Sequence, residues 1–231
     1  LGYKNPYEEN CVYGGFCGGC KFMYKLQSIK IRENSFWWYF VAAFLGGITS
    51  FGFAPFNLWF LSVFGIGGMY VMMTRPHGHI SFWKSYLLAF PFGAFYGITM
   101  FWWVLNSIYV IPELAAQFAI WTVPALIGIG LLCGIILSLP FAIIRYTSRK
   151  SPYRAILFAA IWTLVLWGRE WFLTGFPWNP IANITMTIPM VANSMSLWGA
   201  IGLTFVIVGL IASFVELLRS GKKTNWFAFC L

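Results

Sequence analysis

The sequence predicts an all-α membrane protein, a polytopic bundle of six complete transmembrane helices followed by the start of a seventh. Composition is the first reason, because 60% of the 231 residues are apolar, only 9% are charged, and Asp does not occur. A soluble domain has about 25% charged residues, whereas surface that faces lipid needs none. The second reason is charge placement: every Lys and Arg except Arg169 lies in an alternate connection between apolar runs.

The apolar runs define the predicted spans, because a membrane helix requires about 20 mostly apolar residues. Pro91, Pro124 and Pro140 fall inside runs, and neighbouring helices in a membrane bundle can satisfy the carbonyls that a proline kink frees. The second run is the shortest, so we expect it to tilt or to thin the bilayer. In chain order the spans are Phe36–Phe53, Leu58–Met73, Ser85–Leu105, Phe118–Ile144, Ala155–Leu173 and Leu197–Leu218. The predicted bundle therefore occupies residues 36–224, and residues 225–231 are the predicted start of a truncated seventh helix.

The basic residues also predict the orientation of the chain, since Lys and Arg mark the cytoplasmic side of a membrane protein. They cluster in the N-terminal segment and in the second, fourth and sixth connections, which are therefore predicted to be cytoplasmic. Residues 54–57, 106–117 and 174–196 contain no Lys or Arg and are predicted to face outward. On this interpretation the net charge of +9 reflects topology and contact with anionic lipid, and it does not indicate nucleic-acid binding.

Residues 1–35 are polar, basic and Gly-rich, and we predict a disordered cytoplasmic tail. No short apolar stretch with a small-residue cleavage site follows the charges, so the segment does not resemble a cleavable signal peptide. The segment contains three cysteines, whereas zinc usually takes four ligands at recognisable spacings. His77 or His79 would therefore have to complete a zinc site. We therefore predict a reduced tail with no metal and no cofactor. The three cysteines concerned are Cys11, Cys17 and Cys20.

The remaining cysteines are candidates for a catalytic nucleophile. Cys133 lies inside an apolar span, and Cys230 lies one residue from the end of the sequence. Neither has a His or a cation nearby in sequence to lower the pKa of its thiol, so both are interpreted as packing residues. A Ser-His-Asp triad is excluded because the chain has no Asp. The residues alone therefore predict no catalytic group.

The pair Arg169-Glu170 is the one ionic feature late in a predicted span, close to its outward end. An ionisable residue at that depth is a functional candidate. The planar guanidinium of Arg169 could hold a lipid phosphate, and Glu170 could position a polar group. The alternative for both is that a long side chain reaches the interface by snorkelling.

An outward turn follows this pair. Its glycine permits a tight reversal, its prolines stop a helix, and its aromatic residues suit the headgroup layer. We therefore predict that the turn lies near a lipid or substrate together with the ionic pair, although an ordinary aromatic-belt position would also explain the tryptophan. The turn consists of Thr174, Gly175, Phe176, Pro177 and Trp178.

Three segments, in this order along the chain, resemble one family. Phe51–Trp59 resembles the turn between the first two helices of the bacterial apolipoprotein N-acyltransferases, and Phe92–Val104 is similar to their third helix. Trp162–Asn179 resembles the hallmark segment in the membrane part of that family. One difference is that the family often has an acidic residue three before the motif arginine and Gly just after it, where this chain has Leu166 and Glu170.

The resemblance implies a helical bundle in the bacterial inner membrane, joined to an external nitrilase-like α/β domain with a Glu, Lys and Cys set. In the implied reaction the cysteine takes an acyl chain from a phospholipid as a thioester and passes it to the N-terminal diacylglyceryl-cysteine of an apolipoprotein. No part of this sequence has the alternating strands and helices of such a domain. We therefore expect the membrane part of an N-acyltransferase, inactive by itself, with phospholipid and apolipoprotein as partners.

Two other functional classes stay open at this point. One is a small transporter or channel, and the other is an inert truncated gene product. The spans contain almost no central charges and no evident inverted repeat, two features that often mark a solute path. These observations favour the acyltransferase interpretation over a transporter.

Overall fold

The computed structural model describes residues 36–75, 81–146, 153–172 and 179–220. Within these ranges the chain is helical with short connections and contains no strand, which confirms the predicted all-α class. The α-helices are α1 (Trp37–Ser50), α2 (Trp59–Met73), α3 (Phe82–Phe101), α4 (Pro112–Phe118), α5 (Thr122–Ile144), α6 (Arg154–Phe172), α7 (Pro189–Asn193) and α8 (Met195–Ser220). Three 3-10 helices occupy Trp102–Val110, Ala119–Trp121 and Ile181–Thr185. The predicted tail, with its three cysteines, and the predicted start of a seventh helix lie outside the described residues, as do both histidines.

Four helical stretches of the described chain are long and apolar enough to cross a membrane. Helices α1 and α2 have only 14 and 15 residues, or about 21–23 Å of rise, against a hydrocarbon core of about 30 Å. The prediction of six complete spans is therefore not confirmed. The four stretches that meet the criterion are Phe82–Val110, Ala115–Ile144, Arg154–Phe172 and Met195–Arg219.

A structured turn takes the last three residues of the first apolar run, whereas α2 is short because its apolar run is itself short. Helix α1 ends at Ser50 and α2 begins only at Trp59. Between them Asn57 adopts a φ of 56°, a left-handed conformation that Asn tolerates better than most residues. Helix α8 is also interrupted, at Gly199 with a φ of 66°, where the absence of a Cβ removes the steric cost.

Glycines bring α1, α3 and α5 into close contact. A Cβ added to Gly93 of α3 would lie 2.6 Å from the carbonyl oxygen of Cys133 in α5. A Cβ on Gly46 of α1 would collide with the backbone of Phe92 in α3. Small residues allow the backbones of membrane helices to approach in this way. Helix α3 is therefore held between α1 and α5 at positions where any larger side chain would force the helices apart.

An aromatic cluster joins this layer to the rest of the bundle. The rings of Phe92 and Phe141 lie 4.9 Å apart, and those of Phe141 and Trp162 lie 5.4 Å apart. Phe158 of α6 contacts both Trp162, at 5.7 Å, and Tyr70 of α2, at 4.9 Å. Tilted and edge-to-face pairs of this kind contribute about 0.5–1.5 kcal/mol beyond their burial. The cluster packs α6, and with it Arg169, against α5 and α2, and α5 in turn packs against α3.

We expect Gly93→Val to lower the thermal midpoint of the chain in detergent, because its Cβ would meet the α5 backbone. Overpacking of this kind costs roughly 1–3 kcal/mol. Gly128→Val is the matched control, since a Cβ there meets nothing within 4 Å. The midpoint can be followed by the loss of helical circular dichroism on heating. Equal shifts for the two variants would show that the α3–α5 contact does not depend on Gly93.

Candidate functional site

Arg169 lines a small cavity inside the bundle. It lies 15 residues after the start of α6, or about 22 Å along the helix axis, and so about one turn from the end of α6 at Phe172. The cavity has a volume of about 20 Å³, which is enough for about one water molecule. Its other lining residues come from α1, α3, α5, α6 and the connection after α6, and include Phe92, Tyr96, Cys133, Trp162, Leu166 and Asn179.

The polar groups that line this cavity are chiefly hydrogen-bond donors. The Tyr96 hydroxyl donates to the Asn179 carbonyl oxygen at 3.4 Å. The side chain of Trp162 is 1% exposed, and its indole N–H has no acceptor among the described residues. The guanidinium of Arg169 adds a fixed positive charge with several donors. A cavity with donors and apolar walls is suited to an acceptor oxygen, from water or from a lipid headgroup.

The chain returns to the bundle directly after the predicted outward turn. Asn179 adopts a φ of 53°, and the 3-10 helix Ile181–Thr185 follows after Pro180. The Ala182 N–H donates to the Thr204 hydroxyl of α8 at 3.2 Å, and Ala182 is fully buried. This hydrogen bond ties the end of the turn to α8. The side of the bundle on which it lies is called the Asn179 end below.

The predicted site residues are described only in part. Arg169 lines the cavity, as described above, while Glu170 is half-buried and is not among the lining residues. The turn from Thr174 to Trp178, with Gly175, Phe176 and Pro177 between them, lies outside the described residues, so its role stays a prediction. Cys133 is half-buried and lines the cavity, a position that its sequence context did not indicate.

The opposite end of the bundle contains an ionic network that the sequence interpretation missed. Arg154 is 3% exposed, and its Nη1 lies 3.9 Å from Oε1 of Glu216. Nη1 of Arg219 lies 3.9 Å from the same oxygen, and the Tyr70 hydroxyl donates to it at 2.8 Å. One carboxylate therefore connects α2, α6 and α8. This side of the bundle carries Arg75, Arg145, Arg154 and Arg219, and we call it the four-arginine end.

The same arginines cap the last turn of α2. Nη2 of Arg219 donates to the Val71 carbonyl at 2.8 Å, and Nη1 of Arg145 donates to the Met73 carbonyl at 3.4 Å. The last carbonyls of a helix have no partner within the helix, and cations there complement its dipole. The guanidinium of Arg75 lies over the ring of Trp38 at 5.1 Å, and burial lowers the pKa of Arg75 from its ordinary value. The arginines are thus structural contacts as well as topology signals.

Together, the helices and the two charged regions define a polytopic helical membrane protein, with an arginine-lined cavity near one end and an arginine network at the other. Residues 45–213 match the family model described as the apolipoprotein N-acyltransferase N-terminal domain. The chain belongs to this family, which confirms the resemblance inferred from its three motif segments.

Relatives named apolipoprotein N-acyltransferase agree with the family match. The Haemophilus influenzae protein is 28% identical over 200 residues, which are 87% of this chain and 36% of the relative. The Shewanella oneidensis protein is 32% identical over 194 residues, which are 79% of this chain and 34% of the relative. The Rhizobium etli protein is 32% identical over 127 residues, covering 54% and 23%. The chain thus spans about a third or less of the length of these relatives.

Proposed function

We propose that the chain is the membrane part of an apolipoprotein N-acyltransferase. Such an enzyme moves an acyl chain from a phospholipid to the N-terminal diacylglyceryl-cysteine of a lipoprotein, so phospholipid and apolipoprotein are the proposed partners. The single observation that carries the proposal is the family match over residues 45–213. The small Arg169 cavity, about 20 Å³, gives the transporter alternative no support.

The proposed location is the bacterial inner membrane, with the N-terminus in the cytoplasm. The four-arginine end supports this orientation, because basic residues favour the cytoplasmic side. Arg169 is separated from that end by most of the length of α6, so it would lie toward the outer leaflet. The proposed orientation can be tested by the accessibility of introduced cysteines to a membrane-impermeant reagent.

Arg169 is the residue we assign to the phospholipid headgroup. A guanidinium forms short, charge-assisted hydrogen bonds to phosphate oxygens, and the neighbouring cavity contributes the indole N–H of Trp162 as a further donor. The predicted roles of Glu170 and of the turn 174–178 belong to the same proposal, in which the turn contacts the lipid or substrate beside Arg169.

We expect the purified 231-residue chain to have no acyltransferase activity by itself. Its family match is to the N-terminal domain, whereas the reaction proposed for the whole enzyme requires a thiolate nucleophile in a nitrilase-like domain, without which no thioester can form. The assay mixes the reconstituted chain with phosphatidylethanolamine and a diacylglyceryl-cysteine peptide, and mass spectrometry detects N-acylated peptide. The Haemophilus influenzae relative, assayed in parallel, serves as the positive control. N-acylated peptide from the 231-residue chain would contradict the proposal that acyl transfer requires a separate catalytic domain.

A further inference from the structure

Thr204 of α8 lies behind the connection that forms one wall of the Arg169 cavity. Its side chain is completely buried and is not among the lining residues of the cavity. The hydroxyl donates to the Ala200 carbonyl of α8 at 2.8 Å and accepts the Ala182 N–H at 3.2 Å. A hydroxyl has a single proton to donate, so the bond to Ala200 fixes its direction and leaves a lone pair for Ala182.

The Ala182 N–H depends on this acceptor. It lies in the first turn of the 3-10 helix Ile181–Thr185, where N–H groups precede the internal hydrogen bonds of a helix. The first such bond runs from the Asn183 N–H to the Pro180 carbonyl at 2.9 Å. Pro180 is the N-cap residue and makes no side-chain cap hydrogen bond. Thr204 therefore supplies from a neighbouring helix the cap that a local Ser, Thr, Asp or Asn usually provides.

The segment held by this hydrogen bond is the cavity wall. Asn179 and Ile181 line the cavity together with Arg169. The second attachment of this wall is the hydrogen bond from the Tyr96 hydroxyl to the Asn179 carbonyl at 3.4 Å, which is long for a bond between two oxygens. The bond to Thr204 is thus the better of the two that hold the wall against the bundle.

Loss of the Thr204 hydroxyl would leave a buried N–H without an acceptor, which is costly because Ala182 is fully buried. The start of the 3-10 helix would then gain by moving away from α8 toward water, and the wall beside Arg169 would open. A hydrogen bond between a guanidinium and a phosphate is weaker where water has access. An anchored wall therefore favours headgroup binding by Arg169.

We propose that Thr204 is a positioning residue for the headgroup site, which acts by anchoring residues 179–181 beside Arg169. The inference rests on the proposed function, because the site that it serves is the one assigned there to Arg169. A threonine in a helix commonly donates to a carbonyl one turn earlier, as Thr204 does to Ala200. The hydrogen bond from Ala182 is what distinguishes Thr204 from such a residue.

Hydrogen exchange tests the anchor without an activity readout. The 231-residue chain is placed in detergent, and exchange of the Ala182 amide is followed by mass spectrometry with residue-level fragmentation. Thr204→Val keeps the branched shape but removes the hydroxyl, so this amide should exchange about 10-fold faster, the factor that corresponds to a lost hydrogen bond of ~1.4 kcal/mol. Thr204→Ser keeps the hydroxyl and should restore slow exchange.

Ser138→Ala is the matched control for Thr204→Val. The Ser138 side chain is as completely buried as that of Thr204, and its hydroxyl donates only to carbonyls of its own helix, those of Gly134 and Ile135. It should leave exchange of the Ala182 amide unchanged. Unchanged exchange in Thr204→Val as well would show that Thr204 does not anchor the wall, and would overturn the inference.

Kinetics of a longer version that carries the catalytic domain test the link to the headgroup. Thr204→Val should raise KM for the phospholipid several-fold, while kcat and KM for the acceptor peptide stay close to those of the unchanged protein. Thr204→Ser should return the phospholipid KM to its original value, and Ser138→Ala should not alter it. A loss of folded protein alone would lower the apparent kcat and leave both KM values as they are.

Two kinetic results contradict different claims. Faster exchange of the Ala182 amide in Thr204→Val with an unchanged phospholipid KM would overturn the inference, since Thr204 would then serve the fold alone. Unchanged phospholipid kinetics in Arg169→Ala would contradict the headgroup site of the proposed function, whatever Thr204→Val does to the exchange.

Discussion

Glu216→Ala is expected to lower the stability of the helical bundle by roughly 3–5 kcal/mol, the usual cost of leaving a buried charge without its partner. Arg154, 3% exposed, would lose the carboxylate that lies 3.9 Å from its Nη1. Tyr70 would lose the acceptor of its 2.8 Å hydrogen bond. Arg219 would be less affected, because it also donates to the Val71 carbonyl. Unfolding of the detergent-solubilised chain by increasing fractions of dodecyl sulfate, followed by circular dichroism, measures the loss.

Two further variants show whether the pairing itself causes that loss. Glu113→Ala removes an exposed carboxylate in the first turn of α4 and should leave stability almost unchanged. The double variant Glu216→Leu with Arg154→Met removes both charges, and exchange of a buried ion pair for apolar residues is often neutral. We therefore expect it to recover most of the loss that Glu216→Ala causes. If Glu216→Ala is as harmless as Glu113→Ala, the Glu216 carboxylate is solvated and does not hold the helices together.

The fold class could be predicted from the sequence because it depends on averages over long segments. Scarce charge and long apolar runs determine that the chain is helical and membrane-embedded, whatever the detailed packing. The ends of α2, Trp59 and Met73, agree with the predicted run Leu58–Met73 to within one residue, but the end of α1 could not be predicted in this way. The run Phe36–Phe53 stays apolar beyond Ser50, where α1 ends. The left-handed φ of Asn57 is a local backbone conformation, and the hydropathy of the sequence carries no information about it.

The candidate site was only partly predictable, for a different physical reason. Arg169 could be found because a charge within an apolar run is costly and therefore conspicuous. Tyr96 and Trp162 could not, since aromatic residues make up 21% of the chain and these two reach the same cavity only because α3 and α6 both pack against α5. The contact between Arg154 and Glu216 was missed because they are 62 positions apart in the sequence. In addition, the positive-inside rule by itself accounts for a basic residue at the end of an apolar run, so Arg154 did not indicate an ion pair.

Arg169→Ala is expected to reduce kcat/KM for acyl transfer by about 10- to 100-fold in a longer version that carries the catalytic domain. Hydrogen bonds to charged groups contribute about 1.5–3 kcal/mol, and each 1.4 kcal/mol is a factor of ten. Because the proposed contact is with the phospholipid headgroup, the loss should appear when the phospholipid concentration is varied. Arg169→Lys keeps the charge but not the planar fork of donors, so its activity should fall between those of the alanine variant and the unchanged protein.

Arg75→Ala is the matched control for Arg169→Ala, because both arginines are half-buried and lie at opposite ends of the bundle. Its kcat/KM should be unchanged once activity is normalised to folded protein. Trp178→Ala should resemble Arg169→Ala if the predicted turn acts beside the arginine on the same lipid. If neither change alters the kinetics for the acyl donor or for the acceptor peptide, the two residues are interface anchors. The proposed headgroup site would then be wrong, while the family membership would stand on its separate observation.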